Sequence, residues 1–222
     1  MARTGLLWSM PFLVIMLGIS IYGWMAIPDG AMVARHWDIN GNADGFSSKP
    51  VILLGQPLLA LFMIAVFAII PHIFPRKDNL EKSRAFYLVA WIGAMAILTG
   101  VHGMIVWGGA TGQEPEPGLI LALVGGFFVL LGNYMAKSKS NWVAGLRNPW
   151  TLTSEHAWTV ANRMCGYMFV LTGIAVVLSA FLLGMQWATW ILLGGTFSAI
   201  ILSSIAAYFA WRNDPEAGAS SS

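Results

Sequence analysis

The chain has 222 residues, of which 57% are hydrophobic and only 10% are charged, and its formal net charge is +2. An ordinary soluble domain has about a quarter of its residues charged, so this composition excludes a soluble globular protein. The single cysteine, Cys165, excludes an intramolecular disulfide framework.

Six stretches are apolar enough and long enough to cross a bilayer, which takes about 20 residues of helix. None of them has Asp, Glu, Lys or Arg in its interior, and the first is longer than the apolar core of a signal peptide. The predicted spans are residues 6–27, 51–74, 86–109, 118–135, 164–183 and 187–211. The sequence therefore predicts an all-α, polytopic bundle of six transmembrane helices that forms one membrane domain over residues 1–222.

Basic residues indicate the orientation of such a bundle, because cytoplasmic flanks are enriched in Lys and Arg. Only Arg35 and Lys49 fall on one set of flanks. We therefore predict that both termini are cytoplasmic, with an outward-facing loop at residues 28–50, a cytoplasmic loop at 136–163 and a flexible tail at 213–222. The cytoplasmic set is Arg3, Arg76, Lys77, Lys82, Arg84, Lys137, Lys139, Arg147, Arg163 and Arg212.

Helices in lipid pack closely through small residues. Pairs of small residues four positions apart occur at Ala96 and Gly100 and at Gly194 and Ser198. These pairs predict close contacts between helices of the same chain.

Chemistry inside a membrane needs ionisable or nucleophilic groups, which are rare there. Every aspartate lies in a loop or the tail, no H-E-x-x-H motif is present, and no cofactor or metal site is expected. Gly18-Ile19-Ser20 could mimic a serine nucleophile turn with His102 as its base. We favour the alternative, in which His102 is hydrogen-bonded to a carbonyl of a neighbouring helix.

The outward loop has oxygen-bearing side chains at alternating positions, as a calcium loop does. A calcium loop of this type also needs Gly at its sixth position and Glu at its twelfth, where this chain has Ala43 and Lys49. The sequence therefore favours a turn-rich loop. The alternating residues are Asp38, Asn40, Asn42 and Asp44.

The cytoplasmic loop contains a helix break followed by a new helix. Asn148-Pro149 disfavours a continuing helix, and Thr153 or Ser154 can cap a helix whose first turn holds Glu155. We predict that this helix continues into the fifth span, and that Arg147 and Glu155 pair across the turn.

The ordered residues from 132 to 173 resemble the SdpI-like family, named after the immunity protein of a sporulation-delaying toxin system. The chain departs from the family pattern at Ala136, Ser140 and Asn162, where proline, proline and histidine are expected. The matching residues are Gly132, Asn133, Tyr134, Met135, Lys137, Lys139, Asn141, Trp142, Gly145, Arg147, Pro149, Trp150, Thr151, Leu152, Glu155, Trp158, Arg163, Gly166, Phe169 and Gly173.

The outward loop resembles the domain of unknown function that often precedes this region, through Pro28, His36-Trp37, Gly41, Asp44-Gly45 and Ser48-Lys49. The resemblance implies ligand candidates at His36, Trp37, Asp44 and Lys49. In the signature region it implies a binding role for Asn133, Tyr134, Lys137, Asn141, Trp142, Arg147, Pro149, Trp150, Thr151, Glu155, Trp158 and Arg163.

The resemblance implies a non-enzymatic protein of the bacterial inner membrane that gives immunity to a secreted toxic peptide and holds a cytoplasmic repressor at the membrane. Anionic lipid is an expected partner of the basic loop, and direct nucleic-acid binding is not expected. The alternatives are an accessory subunit of a larger membrane complex, and a small transporter or membrane hydrolase that uses His102 and the region from Asn133 to Trp150.

Overall fold

The structure is a computed structural model that describes residues 1–73 and 77–216. Three predictions fall outside the described residues. They concern the end of the second span at Phe74, the basic residue Arg76, and residues 217–222 of the tail.

Six of the helices are long and apolar enough to span a membrane, so the prediction of a polytopic helical protein is confirmed. Most of their large apolar side chains face outward, as a lipid environment requires. The elements in chain order are α1 (Ala2–Ala26), β1 (Met32–Trp37), β2 (Ala43–Ser48), α2 (Lys49–Ile73), α3 (Lys77–Lys82), α4 (Arg84–Thr111), α5 (Gly118–Met135), α6 (Pro149–Thr153), α7 (Glu155–Leu182) and α8 (Met185–Arg212).

The spanning helices form two groups of three. Helices α1, α2 and α4 pack together and carry the two strands, while α7 packs between α5 and α8. The core of the first group includes Trp91, which stacks on Phe67 at 5.4 Å between ring centroids. The contact between α4 and α5 joins the two groups.

Residues 32–48, for which the sequence favoured a turn-rich loop, form an antiparallel hairpin around a turn. Met32 pairs with Ser48 and Val33 with Ser47, but the register is irregular between residues 34 and 37. The irregularity breaks the alternation of apolar and polar residues that predicts a strand. Val33 and Trp37 are buried in the hydrophobic cluster that includes Ile105 of α4.

Glycines allow α5 and α7 to touch backbone to backbone. A Cβ atom placed on Gly132 would lie 2.3 Å from the carbonyl oxygen of Gly166, and one on Gly125 would lie 2.8 Å from that of Gly173. The reciprocal positions on α7 are equally crowded by α5. We call these four residues the glycine seam.

The two small-residue pairs predicted from the sequence differ in whether they make close contacts with another helix. A Cβ atom on Gly100 would lie 2.8 Å from a methyl group of Leu123 on α5, so this position does make a close contact. Gly194 has no heavy atom within 4 Å of such a Cβ, and the neighbouring Gly195 is the one packed against Thr172 of α7. The expected close contact at Gly194 was wrong because spacing along one helix does not say which face meets a neighbour.

Two prolines in α2 leave carbonyl oxygens without their helical donors. Proline has no N–H, so Pro57 cannot donate to Leu53, nor Pro71 to Phe67. Both oxygens accept hydrogen bonds from side chains of other helices. The Ser20 hydroxyl of α1 donates to the Leu53 oxygen at 2.8 Å, and the Tyr87 hydroxyl of α4 donates to the Phe67 oxygen at 2.6 Å. These bonds hold α2 against both of its neighbours.

Removal of the serine hydroxyl tests this arrangement. We expect Ser20→Ala to lower the free energy of unfolding by about 1–2 kcal/mol, because the Leu53 oxygen loses its donor inside the membrane. In a Pro57→Ala background the restored N–H should donate to that oxygen. Ser20→Ala should then lower the free energy of unfolding by less. The measurement is a double-mutant cycle on thermal unfolding in detergent.

The second proline supplies the matched control for this cycle. Pro71→Ala restores a donor to the Phe67 oxygen only. It should therefore reduce the loss in free energy of unfolding caused by Tyr87→Phe. The loss caused by Ser20→Ala should stay the same. A cost of Ser20→Ala that is the same with and without Pro57 would contradict the assignment.

Candidate functional site

The residues that carry the family resemblance gather at one end of the bundle. The chain between α5 and α7, residues 136–154, is the signature segment. Asn79 of α3 donates to the backbone oxygen of Ser140 at 2.8 Å, and Arg84 donates to the Thr4 hydroxyl of α1 at 2.8 Å. We call this the signature end of the bundle, and the opposite end, which carries the two strands, the hairpin end.

Asn141 organises the first part of the signature segment. Its side-chain oxygen accepts from the backbone N–H groups of Val143 and Ala144, both at 2.8 Å. Its amide nitrogen donates to the carbonyl oxygens of Lys139 at 2.7 Å and Ala144 at 3.1 Å. The side chain is fully buried, so this predicted binding residue supports the loop from inside.

Trp158 and Asn162 of α7 fix the middle of the segment. The indole N–H of Trp158 donates to the Ser138 oxygen at 2.9 Å, and the Asn162 side-chain oxygen accepts from the Leu146 N–H at 2.7 Å. Between them, Gly145 has φ +122°, and a Cβ there would lie 2.7 Å from the Asn162 oxygen. Two buried side chains and one glycine thus define the path of the backbone.

The end of the segment is built from two consecutive helix caps. Asn148 accepts from the Thr151 N–H at 2.9 Å while the Thr151 hydroxyl accepts from the Asn148 N–H at 2.9 Å, with Pro149 as the first residue of α6. Ser154 then caps α7 by accepting from the Ala157 N–H. The predicted helix that begins with Glu155 in its first turn and continues into the fifth span is confirmed.

Ser154, the cap of α7, also contacts the chain that follows α8. The Ser154 hydroxyl donates to the carboxylate of Asp214. This hydrogen bond, together with one from the backbone N–H of Glu216, holds the pKa of Asp214 below its ordinary value. The start of the predicted tail is therefore attached to the signature segment.

The segment between α2 and α4 closes the other side of the signature end. The Ser83 hydroxyl accepts from the Lys139 N–H at 2.9 Å and donates to the Asn79 oxygen at 2.8 Å. Asn79 and Ser83, short polar residues between the second and third predicted spans, were absent from the predicted site. Their contribution depends on a contact about 60 residues away along the chain, which no local pattern indicates.

The predicted ion pair between Arg147 and Glu155 is not formed. Arg147 donates to the backbone oxygen of Trp142 at 2.8 Å, while the Glu155 carboxylate accepts at 3.5 Å from Asn79. Helix α6 lies between the two residues in the chain, and it carries them to different neighbours. Both side chains remain exposed.

The other predicted residues of this region divide into exposed and packed groups. Asn133, Lys137, Trp142 and Arg163 are exposed, and the lysine ammonium lies 5.5 Å from the ring centre of Tyr134. Trp150 packs edge-on against Tyr208 of α8 at 5.4 Å. Together with Arg147, the exposed set supplies three cations and one exposed aromatic ring that a partner can reach. Asn141, Thr151 and Trp158 are interior supports.

At the hairpin end the four ligand candidates do not form one cluster. His36 and Asp44 pair across the strands, with 2.5 Å between Nδ1 and a carboxylate oxygen, and both are exposed. Lys49 is buried, contacts Asp29 at 2.9 Å and lies over the Trp24 ring. Trp37 is buried under the sheet. Within the described residues, no three His, Cys, Asp or Glu side chains lie close enough to hold a metal ion.

The alternating residues of the hairpin form its turn. The Asp38 carboxylate accepts from the backbone N–H groups of Asn40 at 2.8 Å and Asn42 at 2.9 Å. The bond from Asn42 contributes most to keeping the pKa of Asp38 below its ordinary value. This geometry agrees with the turn interpretation favoured above over a calcium loop.

Ser20 and His102 do meet, and the imidazole also interacts with the backbone of Met16 on the neighbouring helix α1. The imidazole Nε2 lies 2.9 Å from the Ser20 hydroxyl, whose own proton is directed to the Leu53 oxygen freed by Pro57. A catalytic serine would have to donate to the histidine instead.

Comparison with known proteins identifies the group to which the chain is related. The SdpI/YfhL protein family model matches residues 137–207, and the model of a domain of unknown function (DUF1648) matches residues 11–61. A protein of Bacillus subtilis (strain 168) named "Immunity protein SdpI" is 27% identical over 169 residues, which cover 74% of this chain and 80% of the relative. The chain is similar to the SdpI/YfhL family over residues 137–207.

The two matched regions fall in different groups of helices, and α4 and α5 lie outside both matches. The family match begins at Lys137 and includes the signature segment, α7 and most of α8, while the other match covers most of α1, the hairpin and half of α2. No solved structure matches the chain. The predicted resemblance to the SdpI/YfhL family is confirmed. Its signature residues form a folded segment with buried supports and an exposed cationic surface.

Proposed function

We propose that this protein is a non-enzymatic, multi-pass protein of the bacterial inner membrane that protects its cell from a secreted toxic peptide. The similarity to an immunity protein over 74% of the chain carries this proposal. The six apolar helices support the membrane location. The direction of the Ser20 proton supports a structural rather than a hydrolytic role for the Ser20 and His102 pair.

We further propose that the hairpin end faces outward and the signature end faces the cytoplasm. Ten of the twelve Lys and Arg residues belong to the signature-end flanks, in agreement with the positive-inside rule. In this orientation the hairpin is available to the peptide. The exposed cations of the signature segment are available to anionic lipid and to a cytoplasmic regulator.

Expression in a toxin-sensitive bacterium tests the proposed function. Cells that produce the protein should survive beside a toxin-secreting strain better than cells carrying an empty vector. Unchanged survival, with the protein present in the membrane fraction, would contradict immunity. Stable co-purification of other membrane subunits in mild detergent would instead favour the accessory-subunit alternative.

The exposed guanidinium of Arg147 provides a test of the signature surface. We expect Arg147→Ala to lower protection by about tenfold, because a charge-assisted contact contributes about 1.5–3 kcal/mol. Arg212→Ala is the matched control, since it removes one positive charge from the same end outside the segment. Membrane insertion should be intact in both variants because the other basic residues still direct topology. Equal protection by both variants would assign Arg147 a purely topological role.

A further inference from the structure

A cavity of about 480 Å³ lies between the sheet, the end of α4 and the loop that follows it. Its size falls within the range of small-ligand sites. Apolar side chains form its floor, including Val33, Trp37 and Ile105, while Asn42, Gln113 and Glu114 supply polar groups. The cavity can therefore take an apolar group and a polar or charged group side by side.

Glycines at the end of α4 shape this cavity. A Cβ atom on Gly109 would lie 2.9 Å from a methyl group of Val33, so glycine allows the sheet to approach the helix. Gly108 similarly allows Pro115 to pack against α4, with 2.7 Å between such a Cβ and the proline ring. Gly112 ends the helix with φ +70° and has open space where its side chain would be. The loop that carries Glu114 is thus held in place on one side of the cavity.

Among the described residues, Glu114 is the one charged residue that lines the cavity, and the exposed cation Arg35 of β1 is not part of its lining. The hairpin end has five carboxylates, and three of them are engaged: Asp29 with Lys49, Asp44 with His36, and Asp38 with the N–H groups of its turn. The remaining two, Glu114 and Glu116, are exposed and make no hydrogen bond or ion pair with another described residue. Of these two, only Glu114 lines the cavity. A carboxylate at such an opening attracts cations.

We propose that this cavity binds a cationic peptide by one apolar side chain and one basic side chain. The apolar side chain inserts among Val33, Trp37 and Ile105, and the adjacent Lys or Arg pairs with Glu114. A free metal ion does not need the apolar floor, and an anionic lipid headgroup would be repelled by the carboxylate. The inference rests on the proposed function and specifies the chemistry of the peptide.

A binding assay on the full-length protein tests the chemistry. The protein is placed in nanodiscs of phosphatidylcholine, which carry no net charge, and titrated into a fluorescent octapeptide of alternating Lys and Phe. A Glu and Phe octapeptide and empty nanodiscs serve as controls. The Lys and Phe peptide should bind the protein-loaded discs more tightly than it binds empty discs, and more tightly than the Glu and Phe peptide binds the protein-loaded discs. Added salt should weaken this binding. Absence of that difference would overturn the proposal.

Two matched variants locate the site. Glu114→Gln should weaken binding of the Lys peptide by about tenfold, and Glu116→Gln by less than about twofold, although both remove one charge from the same loop.

Ala43→Leu, which fills a position on the cavity wall, should abolish binding while the thermal unfolding temperature stays close to that of the unsubstituted protein. Equal weakening by the two glutamate variants would overturn the proposal. Normal binding by Ala43→Leu in the folded protein would also overturn it.

The survival assay separates this inference from the proposed function. If the unsubstituted protein protects cells and the Glu114→Gln and Ala43→Leu variants protect equally well, the cavity proposal is wrong and immunity stands. The opposite outcome is that the unsubstituted protein does not protect cells but binds the Lys peptide, and that the variants weaken this binding as predicted. In that case immunity is wrong and the cavity assignment stands.

Discussion

Replacing Gly132 with alanine is expected to separate α5 from α7 and to destabilise the protein more than an ordinary overpacking substitution, which costs about 1–3 kcal/mol. The new Cβ would lie 2.3 Å from the Gly166 oxygen and 2.9 Å from the Val170 nitrogen. Both of these atoms belong to the backbone, so rotation of a side chain cannot relieve the clash. The helices must move apart, and the contact that positions the signature segment between them is then lost.

The matched control is Gly126→Ala on the same helix. No heavy atom lies within 4 Å of a Cβ placed there, so this substitution should be neutral or should stabilise the helix by up to about 1 kcal/mol. The two variants add the same methyl group to the same helix. They differ only in whether that group meets α7.

Cys165 supplies the measurement for both variants. It is the only cysteine of the chain and is buried on α7, one residue from the seam. The temperature at which this thiol reacts with a maleimide dye reports loss of packing around α7. It should fall clearly for Gly132→Ala and stay within a few degrees of the unsubstituted protein for Gly126→Ala. Equal temperatures for the two variants would show that the seam does not control stability.

The glycine seam illustrates which part of the fold could be predicted from the sequence. The six spans were predictable because length and apolarity are local properties. Which glycines meet a neighbouring backbone depends on the rotation and register of two helices, and neither is local. Gly194 belongs to a small-residue pair and faces open space, whereas Gly125 and Gly132, seven residues apart, meet the backbone of α7.

The signature segment shows the same division. The cap at Ser154 and the start of α7 were predicted from a short polar residue followed by an acidic first turn, a pattern contained in a few residues. The prediction of an ion pair between Arg147 and Glu155 was wrong, because opposite charges near a turn do not determine which carbonyl or amide each side chain reaches. The docking of α3 through Asn79 and Ser83 is a long-range contact, and the roles of Asn141 and Trp158 became apparent only from their burial.

Asn141 and Asn133, two asparagines of the predicted binding set, differ in what they support. Asn141 is buried and makes four hydrogen bonds to the backbone, whereas Asn133 is exposed and donates to one carbonyl of its own helix. Asn141→Ala should lower the free energy of unfolding of the segment by about 2–4 kcal/mol, because the partly buried N–H groups of Val143 and Ala144 lose their acceptor. Asn133→Ala should leave the fold unchanged.

The measurement combines proteolysis of the signature segment with the survival assay. In detergent, Asn141→Ala should be cleaved within residues 136–154 much faster than the unsubstituted protein, and protection of cells should be lost along with the local structure. Asn141→Asp keeps the oxygen that accepts from Val143 and Ala144 and should recover part of the protease resistance. Asn133→Ala should resist the protease normally, so any loss of protection in that variant would come from the exposed surface itself. If Asn141→Ala resists proteolysis as well as Asn133→Ala does, the segment is held by its contacts with α3 and α7 rather than by this buried amide.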